Sequence, residues 1–185
     1  DGLLTIGTLT QTINGFQITA SAGLTHGGTA AIASGTANLI LDGTGTVTGA
    51  SSTGAIRNNL TINTAGTITF ASGNTFSYNT GTLTYTAGTV VTTGNTLNNQ
   101  GVATTFACNG ITWNNVTLTG GVTVTLSENL NVSGLLTVGA AAQAMTLTGN
   151  TINASGGVRF GGASGTVSGT TVINVNGTGT LDGPS

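Results

Sequence analysis

The feature that most constrains this chain is a short alternation of apolar residues with threonine, written again and again. It appears as "GTITF" at 66–70, "GTLTYT" at 81–86, "GVTVTL" at 121–126, "GLLTV" at 134–138 and "MTLTG" at 145–149. A period of two puts one set of side chains on one face of a β-strand. Thr and Val are β-branched and suit a pleated surface. Gly or Asn interrupts the pattern every few residues, as short strands joined by tight turns require. No apolar stripe with helical spacing competes. The fold class is all-β.

The strands fall into threes: "NLTI", "GTITF" and "TFSY" from 59; "GTLTY", "GTVV" and "NTL" from 81; "NVTL", "VTVTL" and "NLNV" within 115–132. Similar starts recur near 38, 59, 81, 104, 122, 145 and 165, a step of about 20 residues. This grammar predicts a parallel β-helix with about three short strands per coil, each coil burying its inner face against its neighbours. The runner-up is an antiparallel β-sandwich or barrel, whose strands and hairpin turns are more widely spaced. The Asn pairs at 58–59, 98–99 and 114–115 are expected at corners, in left-handed backbone or stacked in ladders.

A longer repeat overlies the short one. Residues 15–49 and 149–183 align without a gap, and fifteen of the 35 pairs are identical, Gly27, Gly28, Gly43 and Gly45 among them. Upstream, "GLLTIG" at 2–7 matches "GLLTVG" at 134–139. Residues 1–185 therefore read as a single elongated solenoid segment, with one repeat unit at about 2–133 and the start of a second at about 134–185. The chain opens at Asp1 and ends inside a repeated phrase, and it is read as an excerpt of a longer polypeptide. The expectation is that 15–49 and 149–183 occupy equivalent positions in successive modules of one rod.

Chemistry-bearing residues are scarce. Only 3% of the chain is charged, with two Arg, no Lys and a net charge of −2. Two Arg cannot neutralise a phosphate track, which argues against a nucleic-acid partner. No apolar run reaches the ~20 residues of a membrane helix. A lone Cys108 gives neither a disulfide nor a thiolate metal site and reads as a small buried hydrophobe.

Asp42 and Asp182 are isolated acids that the long repeat does not preserve, Glu128 stands on its own in "LSENL", and His26 faces Phe160 in the other copy. Glycosidase chemistry needs paired carboxylates, and a Ser-His-Asp triad needs a supported histidine. No catalytic residue, metal ligand or cofactor site is assigned, and the chain reads as a non-enzyme. Phe70, Tyr85, Trp113 and Tyr78 share the phase of neighbouring apolar residues and are expected in the core. A glycan-stacking role is the alternative for Trp113 and Tyr78.

Stretches such as "NGITWNNVTLTGGVTVTLSENLNVSGLLTVG" and "GTLTYTAGTVVTTGNTL" resemble the Gly/Thr/Asn-rich β-solenoid repeats of bacteriophage tail fibres and other virion fibres. They are similar, more loosely, to the stalks of bacterial surface adhesins. The resemblance implies a virion-borne or extracellular rod, often a homotrimer, that presents a receptor- or glycan-binding region lying elsewhere. It carries over no site residue.

An ice-binding or carbohydrate-binding β-helix ranks lower. Thr-x-Thr pairs stand at 44–46, 67–69, 82–84, 123–125 and 146–148, but their uneven spacings speak against one flat face.

Overall fold

The computed structural model describes residues 2–7, 9–27, 32–49, 55–99, 103–119, 121–139, 143–161 and 166–183. Gly28 and its counterpart Gly162 lie outside these residues. The chain is a parallel β-solenoid with roughly 22 residues per turn and no helix among the described residues. Each turn supplies a strand to each of three faces, and every strand pairing between successive turns is parallel.

Face A carries Leu4–Ile6, Gly23–His26, Gly45–Thr48, residues 66–70 and residues 89–91. It continues through Thr112–Trp113, Leu130–Val132, Ile152–Ala154 and Ile173–Val175. The Thr92 hydroxyl joins these two stretches by donating to Thr112 O at 2.6 Å.

Face B carries Gln11–Thr12, Ile32–Ser34 and Ala55–Ile56, then Thr75–Ser77 through the bridge from Ile56 to Tyr78. It runs on through Thr96–Asn99, Asn115–Leu118, Leu136–Val138, Val158–Phe160 and Leu181–Asp182. Face C carries Ile18–Ala20, Asn38–Leu41, residues 59–62 and residues 82–85. Its later members are Thr104–Ala107, Thr123–Leu126, Met145–Gly149 and Val167–Gly169. The strands Asn59–Phe70 and Thr82–Val91 each bend through a corner and serve faces C and A in turn.

The expected starts near 38, 59, 81, 104, 122, 145 and 165 are the successive strands of face C, each within two residues. Alternation sends one side chain of each pair inward. On face B the column Phe76, Leu97, Val116, Leu136 and Val158 is buried from turn to turn. Between these rungs, Ser77, Asn98, Thr117, Thr137 and Arg159 form the alternate column.

Asn58 and Asn114 stand where the chain passes from one face to the next, as expected of corners, but not in left-handed backbone. Among the described residues the only non-glycine with positive φ is Thr80, at 71°. Buried Asn58 instead donates its side-chain amide to Ile13 O and Ala37 O, at 3.2 and 3.1 Å. Asn95 likewise reaches Ala71 O and Asn74 O, at 3.2 and 3.0 Å. The amide stitches one turn's carbonyls to the next, where an unpaired buried carbonyl would be costly. The Asn ladder proper forms on face A. Asn153 donates to Asn131 Oδ1 at 2.9 Å, and Asn174 donates to Asn153 Oδ1 at 3.3 Å.

The long repeat has an unexpected geometry. Strand registers agree at the sequence offset: Ile18 opposes Leu39, and Ile152 opposes Ile173. Leu24 opposes Val47, and Val158 opposes Leu181. Yet Ile18–Ala20 lies on face C whereas Ile152–Ala154 lies on face A. Gly23–His26 lies on face A and Val158–Phe160 on face B; Ile32–Ser34 lies on face B and Val167–Gly169 on face C. The second copy is therefore advanced by one face, and the expectation of equivalent positions is corrected to this extent. The reason is arithmetic: from Ile18–Ala20 to Ile152–Ala154 the chain passes six full turns and one further strand.

Candidate functional site: the threonine-lined face

The residues singled out for chemistry are scattered. Trp113 and Tyr78 are both 0% exposed, so the glycan-stacking alternative does not hold: in phase with their apolar neighbours, both rings point into the core. Trp113 packs edge-on against Phe70 at 4.9 Å, and Phe70 against Phe76 at 5.0 Å. The Tyr78 hydroxyl donates to Asn58 O at 2.8 Å. Burial raises its pKa above the ordinary tyrosine range, partly offset by a backbone hydrogen bond from Leu60.

Cys108 is buried and unpaired with any other cysteine. Burial pushes its thiol up to about 12; the neighbouring Trp113 indole opposes this, and the Glu128 charge adds to it. A thiol held neutral is a poor nucleophile. His26 is buried at the end of its strand, where it is in register with Ile6.

Asp42 and Glu128 are exposed and lie at the same corner of the solenoid, about four turns apart, or ~19 Å at the spacing of stacked strands. Glu128 accepts a hydrogen bond from the Asn109 backbone N–H at 3.1 Å. Asp182 sits on face B, 3.9 Å from Arg159 Nε. Among the described residues no cluster of three or more His, Cys, Asp or Glu could hold a metal ion. No helix among the described residues is long and apolar enough to cross a membrane.

What the structure does bring together is hydroxyls. On face C, Thr82, Thr105, Thr125 and Thr148 form one unbroken column on the outer side of successive turns. Thr123, Thr146 and Ser168 form a second column on one side, and Thr61 and Thr84 extend the array on the other. Their strand neighbours Leu60, Leu83, Phe106, Val124, Leu126 and Leu147 are buried, so alternation alone aims the threonines outward. Thr125 Oγ1 lies 3.4 Å from Thr148 Oγ1, and Thr146 Oγ1 lies 3.5 Å from Ser168 Oγ.

Sequence spacing concealed this array. The pairs at 44–46 and 67–69 stack on face A, where Thr46 opposes Thr69. The pairs at 82–84, 123–125 and 146–148 belong to face C. The short interval is a change of face, and the long one spans the turn in which Thr105 stands alone. Contrary to the expectation from spacing, the pairs at 82–84, 123–125 and 146–148 share one face.

The fold defines a protein of the β-solenoid class. No protein-family model, curated protein or solved structure matches the chain.

Proposed function

We propose that the chain is a structural, non-enzymatic rod segment, a stem that spaces or presents a binding region located elsewhere. The observation that carries this reading is the continuity of three parallel faces around one apolar core, with side chains in register from turn to turn. Such a rod transmits position over its length through nearest-neighbour contacts alone. Its 3% charge leaves little to titrate or screen as surroundings change. Together with the resemblance to virion fibres, this favours a tail-fibre stem, with an adhesin stalk as the second setting of the same mechanical role. Trimerisation belongs to the fibre reading and is measured by sedimentation of the purified chain.

The test removes one turn. Val124 and Leu147 occupy the same column, so deleting 125–147 joins Val124 to Thr148 and keeps every remaining register. A spacer keeps a cooperative fold and shortens by ~4.8 Å, and particles carrying the shortened fibre still attach. Loss of attachment with the rod folded would place the function in the deleted residues and end the spacer reading. Immunogold labelling of virions and of cell surfaces separates the two settings.

A further inference from the structure

We propose that face C binds the surface of ice, the threonine array acting as a template for ordered water. This goes beyond the spacer reading and does not depend on it. The array has two fixed repeats: ~4.8 Å from turn to turn, and ~6.6 Å between outward residues two apart on a strand. The column Thr82, Thr105, Thr125, Thr148 has no break in register. Thr is β-branched and restricted at χ1, so its hydroxyl and methyl positions recur from rung to rung. Each hydroxyl both donates and accepts, while the methyls between them favour release of disordered water.

The partner must share that periodicity and carry no charge. None of the aligned outward residues of face C is charged, from Asn38 and Asn59 through Thr148, or from Thr19 through Ala107. A dissolved anion or a nucleic acid finds nothing to pair with. A crystalline polysaccharide would stack on aromatic rings, and the threonine columns present none: Phe106 is buried, Tyr85 is half-buried with its hydroxyl donated to Gly88 O, and the exposed Phe16 precedes Ile18–Ala20, three turns from Thr82. Crystalline water is neutral, periodic and bound through hydroxyls, and bridging waters are nearly as good as direct contacts. The other faces interrupt such a lattice, with the Asn131–Asn153–Asn174 ladder on face A and the Arg159–Asp182 pair on face B.

The experiment freezes a dilute solution of the purified 185-residue chain slowly and measures its enrichment in the ice relative to the liquid. Recrystallisation of small ice grains is scored in parallel. The wild type is expected to enter the ice and to slow grain growth. Thr125→Leu with Thr148→Leu is expected to abolish both effects. Thr117→Leu with Thr137→Leu, on face B, is expected to leave both intact. Thermal melts verify folding, and Thr125→Val with Thr148→Val, which keeps the shape and removes the hydroxyls, replaces any face C variant that fails to fold and is expected to lower the enrichment. Exclusion of the wild type from ice would overturn the proposal. So would equal loss in the face B variant, or binding to crystalline chitin or cellulose in its place.

Discussion

Segments 15–49 and 149–183 share strand registers but not surroundings. Leu41 is 0% exposed, while Val175, the residue 134 positions on, is 41% exposed; Val47 is 1% exposed and Leu181 is 66% exposed. In the first segment, residues 59–70 cover these positions, with Leu60 opposing Leu39 and Phe70 opposing Val47. No described strand covers the second. Backbone geometry is thus written locally, whereas burial, and with it most of the stability, comes from the next turn. This is the behaviour of a one-dimensional array, in which interfaces between units supply what a single unit lacks.

The largest contrast is expected in the core. Leu41→Ala should cost about 2–5 kcal/mol, as for a fully buried leucine. In the 185-residue chain, where no described strand stacks on it, Val175→Ala should stay within ~0.5 kcal/mol. Urea unfolding measures both, and equal costs would break the distinction between the segments.

Amide exchange comes next. The Asp42 N–H donates to Ala20 O at 3.4 Å, and the Asn176 N–H donates to Ala154 O at 3.1 Å. Despite the shorter bond, Asn176 should exchange faster by on the order of a hundredfold, because the outer turn opens without unfolding the rest. Faster exchange at Asp42 would contradict this.

Glycine substitutions sharpen the comparison in the opposite direction. Gly35 and Gly169 have φ of +121° and +122°, and a Cβ on either would strike the carbonyl oxygen of Ile13 or Leu147, which are themselves counterparts. Ala at each should cost at least ~1 kcal/mol, and by similar amounts. Gly15 and Gly149 both have φ of +100°, but only a Cβ at Gly149 meets a preceding turn, at Leu126 O. Gly149→Ala should therefore cost more than Gly15→Ala.

The smallest effect belongs to Arg159 and Asp182, which stand where the first segment has Thr25 and Thr48. Both side chains are about half exposed. Replacing the pair by threonines should change stability by less than ~1 kcal/mol, with the difference shrinking in salt. A larger effect would mean that the pair anchors the outer turn.

Strand positions were legible because alternation acts within five residues: "NLTI", "GTITF" and "TFSY" fold where the period of two places them. The aromatic core was legible for the same reason, since Trp113 and Tyr78 follow the phase of Ile111 and Phe76. Face membership was not. Hydrogen bonds between adjacent turns join residues 20 apart at Thr92 and Thr112 but 24 apart at Asn95 and Ala71. Counting residues therefore cannot assign a face, and the Thr105 rung hid the column it completes. The conformation of the corner asparagines was not legible either. Asn58 and Asn99 donate to carbonyls of neighbouring turns, while Asn59, Asn114 and Asn115 accept backbone N–H groups from them, contacts no local pattern announces. The one-face advance also means that the repeat copies face C strands onto face A and a face B strand onto face C, so the second copy adds only Ser168 to the array.

The two segments are alike in register and differ by one face. A crystal structure of the 185-residue chain tests it by superposing 15–49 on 149–183. The operation relating them should combine a translation along the rod with a rotation of about one third of a turn, as six full turns plus one strand of three require. A pure translation, with Ile18 and Ile152 on the same face, would contradict it.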